Sequence, residues 1–509
     1  MRALRNSRIP ARIRPIGALA AMLLMPATGA WAQAIPTASN APSGISQEQA
    51  LALSARLDAL EKRNEELEAQ ITDLKVQTAG AAQAIRATQN AQPVATLSNG
   101  RPTLTSSDGA YRFAIRTIVQ FDAAKYDVSP LTTANDLVSG TNFRRVRLGA
   151  EGTAFKDWNY GLWAEFGGSG GEAALLNQAY LEYAGFHPFG LEDFRIRAGA
   201  WATPSGLEDA TSNTEELFLE RAAIAELVRG QATGDGRAGV GVFARGQHWY
   251  GSAVFTGKVA GVPTTPEFNQ QSGYLLRGAY NLAHDANYDL HLGVNFQQVL
   301  DVADTAAGPA TAQAVRLQER PELRVSGTRL VDTGAINGDE LRALGLEAGA
   351  SWKNIYGAGE WYRIDVSRTA VGAAPSTFDP SFSGWYLQGA WTLTGEHRAW
   401  SSANGGFNGV KPAKPFSPTT GGLGAWEIAA RYSLLDLNDR SGAAAVTTPA
   451  GGVRGGEQKI TTLGLNWYPN GFVRLLLDYQ WARVARLNAA GVNIGEDVDV
   501  VSFRSQFAF

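Results

Sequence analysis

From Tyr111 to the C terminus, apolar and polar side chains alternate at every second residue, in segments of about ten residues. A helix would scatter this pattern around its circumference; a strand sorts it onto two faces, because successive side chains point in opposite directions. Between Tyr111 and Asp122, the residues Tyr111, Phe113, Ile115, Val119 and Phe121 fall on one side, and Arg112, Arg116, Gln120 and Asp122 on the other. Tyr288, Leu290, Leu292, Val294 and Phe296 oppose His291, Asn295 and Gln297 in the same way. Trp426, Ile428, Ala430 and Tyr432 oppose Glu427, Arg431 and Ser433, and Val473, Leu475, Leu477, Tyr479 and Trp481 oppose Arg474, Asp478 and Gln480. About sixteen segments read this way, each of the length that crosses a bilayer at a tilt. They start near residues 111, 143, 158, 174, 193, 237, 248, 272, 287, 342, 355, 383, 424, 459, 472 and 497. The same alternation would suit a soluble sandwich, but sixteen repeats exceed what a sandwich uses.

The connections follow the parity of an antiparallel barrel, in which short turns at one end alternate with longer loops at the other. Lys156-Asp157, Gly246-Gln247, His284–Asn287, Lys353-Asn354 and Pro469–Gly471 are short, whereas 123–142, 202–236, 258–271, 300–341 and 437–458 are long. Gly395–Gly422 falls on the short-turn side and breaks the rule. Trp249, Trp352, Trp385, Trp467 and Trp481 lie toward strand ends on the apolar face, as an aromatic girdle requires, and the last strand closes on Phe503, Phe507 and Phe509. Composition agrees: 57 Gly, 10% aromatic, 18% charged and no Cys among 509 residues. The absent Cys excludes a disulfide scaffold, a thiolate metal site and a Cys nucleophile. A net charge of -3 excludes a polybasic nucleic-acid binder. The expected fold is therefore all-β and transmembrane, a 16-stranded antiparallel outer-membrane β-barrel over residues 105–509, with a short N-terminal α-helical coiled coil.

The N-terminal part divides in three. Arg2, Arg5, Arg8, Arg12 and Arg14, the apolar run Ile16–Met25 and the triplet Ala30-Trp31-Ala32 make residues 1–32 a secretory signal peptide, cut before Gln33; a membrane anchor is the alternative. Cleavage removes five Arg and no acid, taking the charge from -3 to about -8. In residues 33–78, Leu53, Leu57, Leu60, Asn64, Leu67, Ile71 and Leu74 recur in a heptad pattern with Asn64 as a buried polar position. One such helix cannot bury its seam alone, so oligomerisation is expected, with packing on another surface as the alternative. Residues 79–104, rich in Ala, Gln, Thr and Asn and carrying Pro93 and Pro102, read as a linker.

Five stretches carry a family likeness: FRRVRLGAEGTAFKDWNYG at Phe143–Gly161, TPSGLEDATSNTEELFLER at Thr203–Arg221, WTLTGEHRAW at Trp391–Trp400, WEIAARYSLLDLND at Trp426–Asp439 and TTLGLNWYPNGFVRLLLDY at Thr461–Tyr479. Over residues 105–509 the chain resembles the phosphate-selective porins O and P. The resemblance implies a homotrimeric porin in the outer membrane of a Gram-negative bacterium, bathed in outer-membrane lipid, with inorganic anions as solutes and no cofactor. It also implies a third loop (202–236) folded into the lumen as a constriction and a periplasmic turn folded inward, which accounts for Gly395–Gly422. An arginine pair of the kind at Arg144, Arg145 and Arg147 is implied on the anion path.

Alternation assigns Arg112, Arg116, Arg145, Arg147, Arg195, Arg197, Arg245, Arg277, Arg363, Arg431, Arg474 and Arg504 to the lumen, against Asp122, Glu151, Glu165, Glu182, Glu347, Asp365, Glu427 and Asp478. Guanidinium suits phosphate because its planar fork binds oxyanions and keeps its proton; the same arginines could instead balance luminal acids. Only Arg145 and Arg147 share a face, so Arg144 is expected at a rim or bend. Two features depart from strong phosphate selectivity. Lys is scarce, where the phosphate-specific relatives resemble Lys-rich funnels. The constriction loop is acidic, with Glu208, Asp209, Glu215, Glu216, Glu220, Glu226 and Asp235 against Arg221, Arg229 and Arg237, and such acids repel anions unless each is paired. Arg398, Lys411 and Lys414 in the inward turn are candidates to restore positive charge.

A barrel enzyme is disfavoured: none of the five His accompanies a G-x-S-x-G nucleophile elbow. No catalytic or metal-binding residues are assigned. A plugged transporter is disfavoured because residues 33–104 hold only a helix and a linker. A general porin without selectivity, or a tether reaching the cell wall through its coiled coil with a largely closed lumen, remain the competing readings.

Overall fold

The computed structural model describes residues 46–98, 100–130, 137–168, 176–260, 269–304, 313–369 and 378–509. The signal-peptide expectation for residues 1–32 lies outside them. Sixteen strands form one closed antiparallel barrel: β1 Arg112–Ser129, β2 Gly140–Ala154, β3 Trp158–Glu165, β4 Leu176–Tyr183, β5 Asp193–Trp201, β6 Arg237–Arg245, β7 Trp249–Val259 and β8 Ser272–Asp285, then β9 Tyr288–Asp301, β10 Ile336–Trp352, β11 Ile355–Arg368, β12 Ser381–Thr392, β13 Ala425–Asp439, β14 Val453–Tyr468, β15 Val473–Ala485 and β16 Asp497–Ala508. Each strand pairs with the next, and β16 closes on β1 from Asp497↔Ser129 to Ala508↔Ile118. Closure leaves no free edge, which is what permits a sheet to sit in lipid.

Strand starts lie within three residues of the periodicity reading except for β10 and β14, which begin six residues earlier, at Ile336 and Val453. Both extensions hold a register shift, at Gly338/Glu340 and opposite Asp436/Asn438, where strict alternation fails. Two expectations are corrected. Residues 79–104 are not a structureless linker: helix α1 runs on to Ala91, and Val94–Ser98 and Arg101–Thr105 form a hairpin whose second strand pairs with the start of β1. Arg363 and Asp365 face outward, not into the lumen: they are exposed and paired with each other at 3.1 Å, while Glu360, Tyr362, Ile364 and Val366 of β11 point inward and are buried.

The physical reason for this inversion is inside the barrel. Toward the long-loop end the lumen holds an apolar cluster, with Ile364, Val366, Phe382, Leu435, Ile460, Val498 and Val500 of the wall packed on Leu219, Ile224, Leu227 and Val228 of the third loop and Leu317 and Leu323 of the fifth. The inward side of the wall is therefore apolar there, and charges such as Arg342, Lys459 and Arg483 stand outside. Nearer the short-turn end the usual order returns, with Leu290, Leu292, Leu346 and Leu387 exposed outward.

Helix α1 spans Gln47–Ala91, and its residues up to Ile85 belong to a unit separate from the barrel. Its seam residues Leu53, Leu57, Leu60, Leu67, Ile71 and Leu74 are all exposed.

Candidate functional site

Among the described residues, three connections enter the lumen, within residues 202–236, 313–335 and 393–424. The first carries α2 (Leu207–Ala210) and α3 (Ala223–Ala232). A loop inside a barrel must satisfy its backbone without solvent, and buried carboxylates do so here. Glu360 of β11 accepts from Leu207 N at 2.7 Å and Glu208 N at 3.1 Å, as well as from the Tyr362 and Tyr386 hydroxyls at 2.8 and 2.6 Å. Asp478 accepts from Leu219 N, Glu208 from Ala222 N and Glu322 from Ala223 N.

The acids of this loop other than Glu215 are paired with wall and loop arginines. Glu220 meets Arg144 and Arg504, each at 2.8 Å, and Glu208 meets Arg431. Asp209 bonds Arg229 at 2.6 Å, Glu216 bonds Arg221 at 2.6 Å, Glu226 bonds Arg324 at 2.7 Å, and Asp235 bonds Arg147 at 2.7 Å as well as Arg229. Burial alone would raise the Glu226 carboxyl, but Arg324, Arg229 and Arg221 outweigh it and hold it down at about 2. Burial likewise opposes ionisation of Glu220 and Asp235, and their arginine neighbours hold both well below the usual carboxylate range. The acidity of the loop is thus neutralised where it sits; its half-buried Glu215 is the one that borders an open cavity.

Eleven of the twelve arginines assigned to the lumen by alternation do face inward, Arg363 being the exception. Most hold structure together. Arg504 bridges Asp122 at 2.7 Å and Glu220, Arg277 grips Glu347 at 2.8 Å and the carbonyls of Asn404 and Gly405, and Arg147 pairs with Glu165. Arg145 donates to Gln120 at 2.7 Å, and Arg431 also reaches Glu322 at 3.2 Å. Arg144 sits at a β-bulge, where Gln120 pairs with Arg145 and Phe121 with Phe143; the extra residue turns its side chain in toward Glu220. Arg195 and Arg197 share Glu182, and Arg195 and Arg245 share Asp193, around a cavity of about 180 Å³ between β5–β7 and the turn residues Ala403 and Asn404.

The inward turn is anchored by Arg398, which is buried on Glu427 at 2.7 Å, and by Trp400, whose indole donates to His291 at 3.0 Å. Lys411 and Lys414 are exposed. Lys411 borders a second cavity of about 260 Å³ at the short-turn end, together with Arg101, Arg112, Arg116 and Arg474. Glu215 and the C-terminal Phe509 also line it, and Glu151 stands behind, shared by Arg101 at 2.6 Å and Arg116 at 2.8 Å. Five cations thus face three carboxylates. Arg112 and Lys411 carry no ion pair among the described residues. Sequence reasoning missed Glu360, Glu322, Arg324 and Arg101: the first through the inverted face of β11, the next two because nothing in residues 313–335 signals an inward loop, and the last because it sat in an expected linker.

A closed sixteen-stranded barrel with an apolar outer surface and a third loop folded into its lumen defines an outer-membrane porin. The family model for phosphate-selective porin O and P matches residues 113–509, and the chain belongs to that family. It is 27% identical over 421 residues to Porin O of Pseudomonas aeruginosa, covering 80% of this chain and 90% of that one. It is 28% identical over 423 residues to an uncharacterised protein of Caulobacter vibrioides, covering 78% and 76%. Among solved structures, the anion-selective porin from Comamonas acidovorans aligns with TM-score 0.43 and 14% identity over 78% of this chain and 100% of that one. The channel DcaP of Acinetobacter baumannii aligns with TM-score 0.43 and 11% identity, over 79% and 98%.

Proposed function

We propose that this porin is a passive, homotrimeric diffusion channel with a mild preference for small anions such as phosphate or pyrophosphate. The observation that carries the reading is the cavity at the short-turn, periplasmic end, where Arg112, Arg116, Arg474 and Lys411 outnumber the acids in contact with water. A surplus of fixed cations at a narrow aqueous mouth raises the local anion concentration and lowers that of cations. The pairing of the constriction-loop acids other than Glu215 removes most of the opposing field. The preference is mild because most luminal arginines are already occupied by carboxylates and because Lys is scarce. The exposed leucine seam of α1 supports assembly through a coiled coil of several copies.

A second reading is a largely closed barrel serving as a tether, favoured by the burial of the luminal Arg145, Arg277, Arg431 and Arg504 under three inward connections. Reversal potential in a planar bilayer under a KCl gradient, with phosphate as competitor, separates the two. A chloride-leaning potential with phosphate block at low concentration supports the anion channel. A neutral or cation-leaning potential without block leaves a general porin, and no conductance favours the tether.

A further inference from the structure

We infer that the hairpin preceding the barrel is a working part of the pore mouth, and that its Arg101 helps set ion selectivity. The inference rests on the channel reading above but concerns a segment outside the family match, which begins at residue 113.

Three contacts build the hairpin into the barrel. The strand Arg101–Thr105 continues the sheet, with Thr103↔Ala114, Leu104↔Phe113 and Thr105↔Arg112, on the edge of β1 that β16 leaves uncovered below Ile118. Gly100, at the hairpin turn with φ +74°, lies against the Phe472 ring so closely that a Cβ there would fall 1.7 Å from the ring. Only glycine fits this combination of positive φ and direct contact. The Arg101 guanidinium then reaches Glu151 of β2 at 2.6 Å, the same carboxylate that Arg116 holds at 2.8 Å.

The electrostatic consequence follows from sharing. With Arg116 alone, Glu151 would cancel one luminal cation at the mouth. With Arg101 added, one carboxylate faces two guanidiniums that are 28% and 29% exposed, and the pair keeps a net positive charge turned to the cavity. A residue that alternation and family matching both leave outside the channel thereby supplies part of its surplus. Because α1 runs directly into this hairpin in sequence, the oligomerising segment and the pore mouth are joined by only a few residues.

The chain has no cysteine, so Arg101→Cys creates a unique thiol. In planar bilayers, Arg101→Gln is expected to lower the anion-to-cation permeability ratio about twofold in 0.1 M KCl, from one charge removed about 9 Å from a passing ion in water. Arg101→Lys should stay near wild type. Arg101→Cys treated with a negatively charged methanethiosulfonate should move the ratio further toward cations, and a positively charged one should restore it. A merely structural role for Arg101 would not follow the sign of the reagent. Selectivity unchanged in Arg101→Gln, or a modified thiol without effect on the ratio, overturns the inference. If the wild-type channel proves cation-leaning, the anion reading fails, yet the sign-dependent shift at position 101 still decides this one.

Discussion

Replacing Glu360 by Gln should loosen the constriction loop without opening the barrel. The Glu360 carboxylate accepts two loop amides and two tyrosine hydroxyls, all between 2.6 and 3.1 Å. An amide keeps one acceptor oxygen and turns the other position into a donor. If the oxygen stays on Leu207 N and Tyr362, the new NH₂ faces Glu208 N, a donor, and Tyr386, whose hydroxyl can rotate to accept. One charge-assisted bond is lost and a buried N–H is orphaned, together costing about 2–4 kcal/mol. The barrel ladder is untouched, so the loss falls on the equilibrium between docked and undocked loop. At tenfold per 1.4 kcal/mol, the undocked population should rise roughly 30- to 700-fold. Hydrogen exchange in detergent reads this directly, because exchange tracks local opening. The amides to follow are Ala210, Thr211 and Glu226, which bond within the loop to Gly206, Leu207 and Ala222 and do not touch Glu360. Their exchange should accelerate by that factor while the β1–β16 seam stays protected, and open-channel current should become noisier. Unchanged protection at these three amides would refute the assignment of Glu360 as the anchor.

Lys411→Glu should shift the permeability ratio toward cations roughly fourfold in 0.1 M salt, since it changes two charge units at the mouth, whereas Lys414→Glu, which does not border the cavity, should shift it by clearly less. Arg363→Gln should leave the reversal potential at the wild-type value and cost under about 1 kcal/mol, because an exposed pair outside the barrel contributes little; a selectivity change would restore the inward assignment. The depressed carboxyls of Glu220, Glu226 and Asp235 stabilise the docked loop above the unfolded carboxylate range near 4, and that contribution is lost as pH falls toward 2. Protection of the α3 amides, corrected for intrinsic exchange, should therefore hold from pH 7 to 5 and decline below about 4; a decline already complete at pH 5 would contradict it.

The period-two pattern determined the barrel, its strand number and the inward direction of eleven arginines, because a residue's face on a strand is a local property of the backbone. The shift to a heptad pattern before residue 79 likewise marked α1. What alternation could not carry was the content of the lumen. It takes the polar face as the inward one, which holds only where the inside is wet. Near the long-loop end, Ile224, Leu227 and Leu317 arrive from connections distant in sequence and make the inside apolar, so Arg363 and Asp365 stand outside while Glu360 points in. Tertiary structure alone also decided which arginines remain available to a solute: Arg504 and Arg431 read in the sequence as lumen arginines suited to an anion, but Glu220 and Glu208 of the folded-in loop occupy them. Arg101 gained its place in the mouth only when a hairpin from an apparent linker joined the edge of β1. Charge pairing at a pore depends on groups from about fifty to nearly three hundred residues apart meeting at hydrogen-bond distance, and no local pattern in the chain encodes that meeting.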